Sequence, residues 1–90
     1  MVPGKSLSER VINCGFEVSN QLGTGFLESV YENALCIELG KQGIRCQQQM
    51  PLKVVYKDQV VGSFVTDLIV ENQLLIELKV VPQLVIRHRA

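Results

Sequence analysis

The stretch from Val65 to Val81, VTDLIVENQLLIELKVV, constrains the fold more than any other part of the chain. Two runs rich in β-branched and aliphatic residues flank a short polar break, Glu71-Asn72-Gln73, so the stretch reads as a β-hairpin. The length of the loop sets the register. With all three polar residues in the loop, Val70 faces Leu74, Leu68 faces Ile76 and Asp67 faces Glu77. Directly opposed residues of an antiparallel pair share a face, so Asp67, Glu77 and Lys79 project from one side of the sheet. A two-residue loop, Asn72-Gln73, would instead pair Asp67 with Leu78 and Leu68 with Glu77, setting each carboxylate against an aliphatic neighbour. The apolar pattern therefore predicts the three-residue loop. Two carboxylates and an ammonium on an otherwise apolar sheet are costly to bury, which marks them as a candidate site.

Ninety residues suffice for one small domain. Nearly half of them are hydrophobic and a fifth are charged, a balance that predicts a globular chain. The formal net charge of zero excludes a chain-wide attraction for nucleic acid; such binding would need a local patch or metal ions. The one basic cluster, Arg87-His88-Arg89, reads as a solvated tail. Cys14, Cys36 and Cys46 are widely spaced, with no CxxC or Cys/His pairing to hold zinc and no disulfide framework. They are expected to be buried thiols in a reducing cytoplasm. The N-terminal Met1-Val2-Pro3-Gly4-Lys5 leads into a polar segment without the apolar core of a signal peptide, and no stretch reaches transmembrane length. The expectation is a soluble, cytoplasmic protein.

Along the chain, Ser6-Leu7-Ser8-Glu9 fits a capping box, and Leu7, Val11, Cys14, Val18 and Leu22 recur at helical spacing up to Gly23. A second helix is predicted from Thr24 or Gly25 to about Gln42, with Leu27, Val30, Tyr31, Ala34, Leu35 and Leu39 as its apolar stripe and Gly43 just past its end. From Ile44 the period becomes two, through Cys46, Gln48, Met50, Leu52, Val54 and Tyr56, with Pro51 marking an edge position or a bulge. Lys57-Asp58-Gln59 reads as a turn, and Gly62 as a bulge or bend. Leu74 to Val81 is apolar on both faces apart from Glu77 and Lys79, the pattern of an interior strand covered on both sides and stopped by Pro82. Gln83 to Ala90 could begin a further helix. The order is α-α-β-β-β in a single domain.

Asp67 followed by Glu77-Leu78-Lys79 matches the D…(D/E)xK pattern, with Thr66 where the full motif has proline. Upstream, Gly25-Phe26-Leu27-Glu28-Ser29-Val30-Tyr31 matches GxxExxY. In order and spacing these resemble the GxxExxY family of the PD-(D/E)xK nuclease superfamily, over roughly Leu7 to Val81. The resemblance implies an α/β (α+β) core, a mixed sheet flanked by helices, that hydrolyses nucleic-acid phosphodiester bonds with Mg²⁺ or Mn²⁺. It implies Asp67 and Glu77 as metal ligands, Lys79 as the cation that orients the attacking water, and Glu28 as a helix-borne acid that adds a ligand. Tyr31 would support the site or simply belong to the core. Nucleic acid is the implied partner, DNA before RNA. The superfamily core continues after the ExK strand with a helix and commonly another strand. This chain ends at Ala90, so it is expected to be truncated there, leaving a sheet face open to a second copy.

Each of these residues also has a plainer reading. Asp67 and Glu77 could form a solvated patch with Lys79 as salt-bridge partner; Glu28 could be a first-turn acid favoured by the helix dipole. Gly25 serves backbone geometry, His88 is a tail residue, and Gln47-Gln48-Gln49 is a polar strand edge. Against the nuclease stands a catalytically inactive interaction or dimerisation module built on the same scaffold. A thiol redox role has no local motif behind it.

Overall fold

The structure, a computed structural model, describes residues 6–80 and 84–89. Two helices, α1 (Leu7–Leu22) and α2 (Glu28–Lys41), precede four strands, β1 (Cys46–Tyr56), β2 (Gln59–Val70), β3 (Leu74–Val80) and β4 (Leu84–Arg89). The strands form one antiparallel sheet in the order β1-β2-β3-β4.

Ser6 caps α1 as its spacing to Glu9 predicts: the Glu9 N–H donates to the Ser6 hydroxyl oxygen at 3.2 Å. Val11, Cys14, Gly15 and Val18 form its buried face. Helix α2 begins at Glu28, later than the spacing predicts, because Gly25 adopts φ 98° in the connecting loop. Leu27 and Val30, expected in its stripe, are exposed; the inward face is Tyr31, Glu32, Leu35 and Leu39. Gly43, at φ 74°, closes the helix in a Schellman motif, with its N–H on the Gly40 carbonyl and the Ile44 N–H on the Leu39 carbonyl. Ile44 and Leu39 are both buried, the apolar contact that accompanies this cap.

The β2–β3 register is the one the three-residue loop predicts: Val70 opposite Leu74, Ile69 opposite Leu75 and Leu68 opposite Ile76. Thr66, Leu68, Val70, Leu74, Ile76 and Leu78 are buried beneath the helices. α1 crosses β4, where Gly15 lies against Ile86, and α2 runs along β1. β3 is interior in the sheet as expected, but among the described residues the helices cover one face only. Leu75 and Glu77, on the other face, are half-buried.

The C-terminal segment corrects the sequence reading. Leu84–Arg89 is a strand paired antiparallel with β3, from Leu84 opposite Val80 to Arg89 opposite Leu75. A helix there would have left the outer edge of β3 unpaired, and Leu84-Val85-Ile86 suits a strand. The backbone of Arg87-His88-Arg89 is thus a ladder segment paired with β3, where the sequence reading had a tail. Pro82, expected to stop the third strand, lies outside the described residues.

Candidate functional site

β2 and β3 part company at Asp67. Their ladder ends at Leu68 opposite Ile76; beyond it β2 pairs only with β1, and β3 only with β4. At the next position Asp67 and Glu77 stand across the fork. The Asp67 carboxylate takes the place of a backbone acceptor there: its Oδ2 accepts the Leu78 N–H at 2.8 Å. On the helix side of the same fork, the buried Thr66 hydroxyl is within 3.2 Å of the Leu68 carbonyl and 3.4 Å of the Ile76 carbonyl, so it can donate to either. Thr66, standing where the motif has proline, therefore ties the two strands where their ladder ends.

On the face turned away from the helices, strand alternation gathers Asp67, Ile69, Leu75, Glu77 and Lys79. β4 adds Arg87, directly opposite Glu77, and Val85, opposite Lys79. Two carboxylates and two cations thus share one face at the fork. The sequence reading assigned Arg87 to a solvated basic tail and not to the site, since its place depends on the strand that the tail turns out to form.

On the β1 side, Gln49 lies across from Asp67, between the Gln48–Leu68 and Met50–Thr66 pairs, with a left-handed backbone, φ 52°. Its Nε2 donates to the Glu32 carboxylate at 2.6 Å, and the Nε2 of Gln48 donates to the same carboxylate at 2.9 Å. Glu32 is therefore a buried acid held by two amides. Its signal in the sequence was a glutamate inside the Tyr31, Leu35, Leu39 stripe.

The GxxExxY residues are placed as follows. The Tyr31 hydroxyl donates to the Gly23 carbonyl at 2.8 Å and lies 3.4 Å from the Phe26 N–H, which donates to it. Its ring meets Phe26 edge-on. Gly25 and Tyr31 thus shape and clamp the α1–α2 loop. Glu28 is exposed at the first position of α2, in the helical layer, whereas Asp67 and Glu77 project from the opposite face. Among the described residues no three His, Cys, Asp or Glu side chains stand together as a metal-holding group.

Asp67 and Glu77 nevertheless suit a hard divalent ion. Mg²⁺ takes few protein carboxylates and fills its remaining positions with water and substrate oxygens. Asp67 has given one oxygen to Leu78, and its other oxygen takes no hydrogen bond among the described residues.

A protein-family model described as the PD-(D/E)XK nuclease superfamily matches residues 5–90. Searches of curated proteins and of solved structures find no match to the chain. Among the described residues no helix is long and apolar enough to cross a membrane. The superfamily typically uses divalent metals. The matched span takes in both helices, the fork at Asp67 and the Glu77-Leu78-Lys79 strand, and by it the chain belongs to the PD-(D/E)XK nuclease superfamily.

Proposed function

We propose that this domain, of the GxxExxY kind, binds Mg²⁺ or Mn²⁺ through Asp67 and Glu77 and hydrolyses nucleic-acid phosphodiester bonds, those of DNA before those of RNA. One observation carries the reading: the strands that bear the two acids diverge at the point where the acids face each other, on a face turned away from the helices. A divalent ion held there would supply an acidified water and stabilise charge on the phosphoryl oxygens. Lys79, on the same face and exposed, offers an ammonium to the phosphate and to the attacking water. The Asp67–Leu78 hydrogen bond orients one ligand before any ion arrives. Glu28, which the resemblance implies as a further ligand, stands in the helical layer and is not among the ligands proposed here.

Calorimetric titration with Mg²⁺ and Mn²⁺ tests the site. Wild type should give a saturable heat that Glu77→Gln abolishes, while Glu28→Gln, lying in the other layer, should change affinity by less than about threefold, under 1 kcal/mol. Equal heats from wild type and Glu77→Gln, or none from either, would defeat the metal site. Cleavage of DNA and RNA with each metal tests the catalysis separately.

A further inference from the structure

We propose that Cys36 and Cys46 form a thiol–disulfide exchange site that takes a low-molecular-weight disulfide and closes to a reversible Cys36–Cys46 bond. No local motif joins the two cysteines; the packing of α2 on β1 brings them together. The strand runs back along the helix, with the Gln48 amide on the Glu32 carboxylate. Four helical residues beyond Glu32 advance about 6 Å, and two strand residues before Gln48 cover roughly 6.6 Å. The same alignment therefore carries Cys36 onto Cys46, which shares the helix-facing side of β1 with Gln48. The Cys36 thiol donates to the Cys46 carbonyl at 3.8 Å, and the two side chains also hydrogen-bond to each other. All three cysteines are free thiols, but Cys14 is buried on α1 whereas Cys36 and Cys46 are half-buried.

Access and proton affinity set the order of events. A cavity of about 530 Å³ opens at the pair, walled by both cysteines with Gly40, Ile44, Arg45 and Glu71. That volume lies in the range of small-molecule sites, so a disulfide of the glutathione kind can reach the sulfurs without displacing α2. Burial, the hydrogen bond and the charge of Cys36 make Cys46 hold its proton tightly, so Cys36 attacks first. Its proton goes to solvent and its thiolate bonds to one sulfur of the incoming disulfide. The S–S bond of that molecule breaks, and one small thiolate leaves and is protonated. Cys46 then gives its proton to solvent and attacks the Cys36 sulfur, which expels the second small thiolate. Two protein thiols are oxidised to one disulfide, and the small disulfide is reduced to two thiols. Excess small thiol runs both steps backwards. The bond ties the C-terminal half of α2 to the first residue of β1, across the Gly43 cap.

The test incubates the intact chain with glutathione disulfide and glutathione at fixed ratios. Free thiols are then trapped by alkylation and the products mapped by mass spectrometry. Wild type and Cys14→Ala should give an intramolecular Cys36–Cys46 link that dithiothreitol reverses, with unchanged circular dichroism. Cys46→Ala should stop at a mixed disulfide on Cys36, and Cys36→Ala should react at Cys46 at least tenfold more slowly than wild type reacts at Cys36. At one fixed ratio, linked over free pair should be at least tenfold lower in concentrated urea, where the packing that aligns the sulfurs is gone. An equal yield in urea would overturn the proposal. So would links to Cys14 or between chains, mixed disulfides at both positions without a link, or thiols that stay reduced in glutathione disulfide alone. Where an alanine variant does not fold, the urea comparison on wild type decides. None of these readouts depends on whether Asp67 and Glu77 bind metal.

Discussion

Asp67 has two roles at one carboxylate: it accepts the Leu78 N–H that the diverging strands leave without a ladder partner, and it presents an oxygen to the open face. Substitutions can separate the two. Asp67→Asn keeps an acceptor for the Leu78 N–H and removes the charge, so stability should stay within about 0.5 kcal/mol while metal binding is lost. Asp67→Ala strands the N–H and should cost about 1–3 kcal/mol as well. Urea unfolding and metal titration of both variants check this; equal destabilisation by both would mean that the hydrogen bond is not what holds the fork.

The thiols supply a pH dependence at the same scale. Burial first, then a hydrogen bond and charge interaction with Cys36 and the charge of Glu32, push the Cys46 thiol far up. Burial and Glu38 raise Cys14 against the opposing pull of Arg10. Both groups hold their proton more tightly folded than unfolded. Their contribution is therefore complete below the unfolded thiol pKa of about 8.5 and is lost as pH rises above it towards the folded values. The urea midpoint should fall between about pH 8 and pH 10, with a shallower fall in Cys46→Ala; parallel slopes would remove Cys46 from the account.

At the scale of elements, the joints hold left-handed residues in place. Gly43 at φ 74° ends α2 and admits the Ile44 N–H to the Leu39 carbonyl. Gly43→Ala should cost about 1 kcal/mol from backbone strain alone, since no atom lies within 4 Å of the added Cβ; an unchanged urea midpoint would contradict it. This cap was legible because glycine follows a helical stripe. The β2–β3 register was legible too, since slipping it would set carboxylates against aliphatic residues. The tail was not: three apolar residues in a row, Leu84-Val85-Ile86, have no period to separate strand from helix, and the deciding fact is the open edge of β3. Glu32 was hidden for a related reason. A glutamate in an apolar stripe gains meaning only when two glutamines from β1 arrive beside it. The alternation in β1 was visible, but alternation cannot say whether anything covers the strand.

For the whole molecule, that last point has a thermodynamic consequence. One helical layer on one face of the sheet leaves a thin body, 44 × 34 × 17 Å, with its apolar surplus in an arm outside the main core. The exposed valines of the arm are supported only by the β1–β2 ladder. Amides on Val54, Val60 and Phe64 should therefore exchange far faster than those of Leu68 and Ile76, because local opening and not global unfolding sets their rate. Equal protection along β2 would mean that the ribbon opens only when the whole domain unfolds.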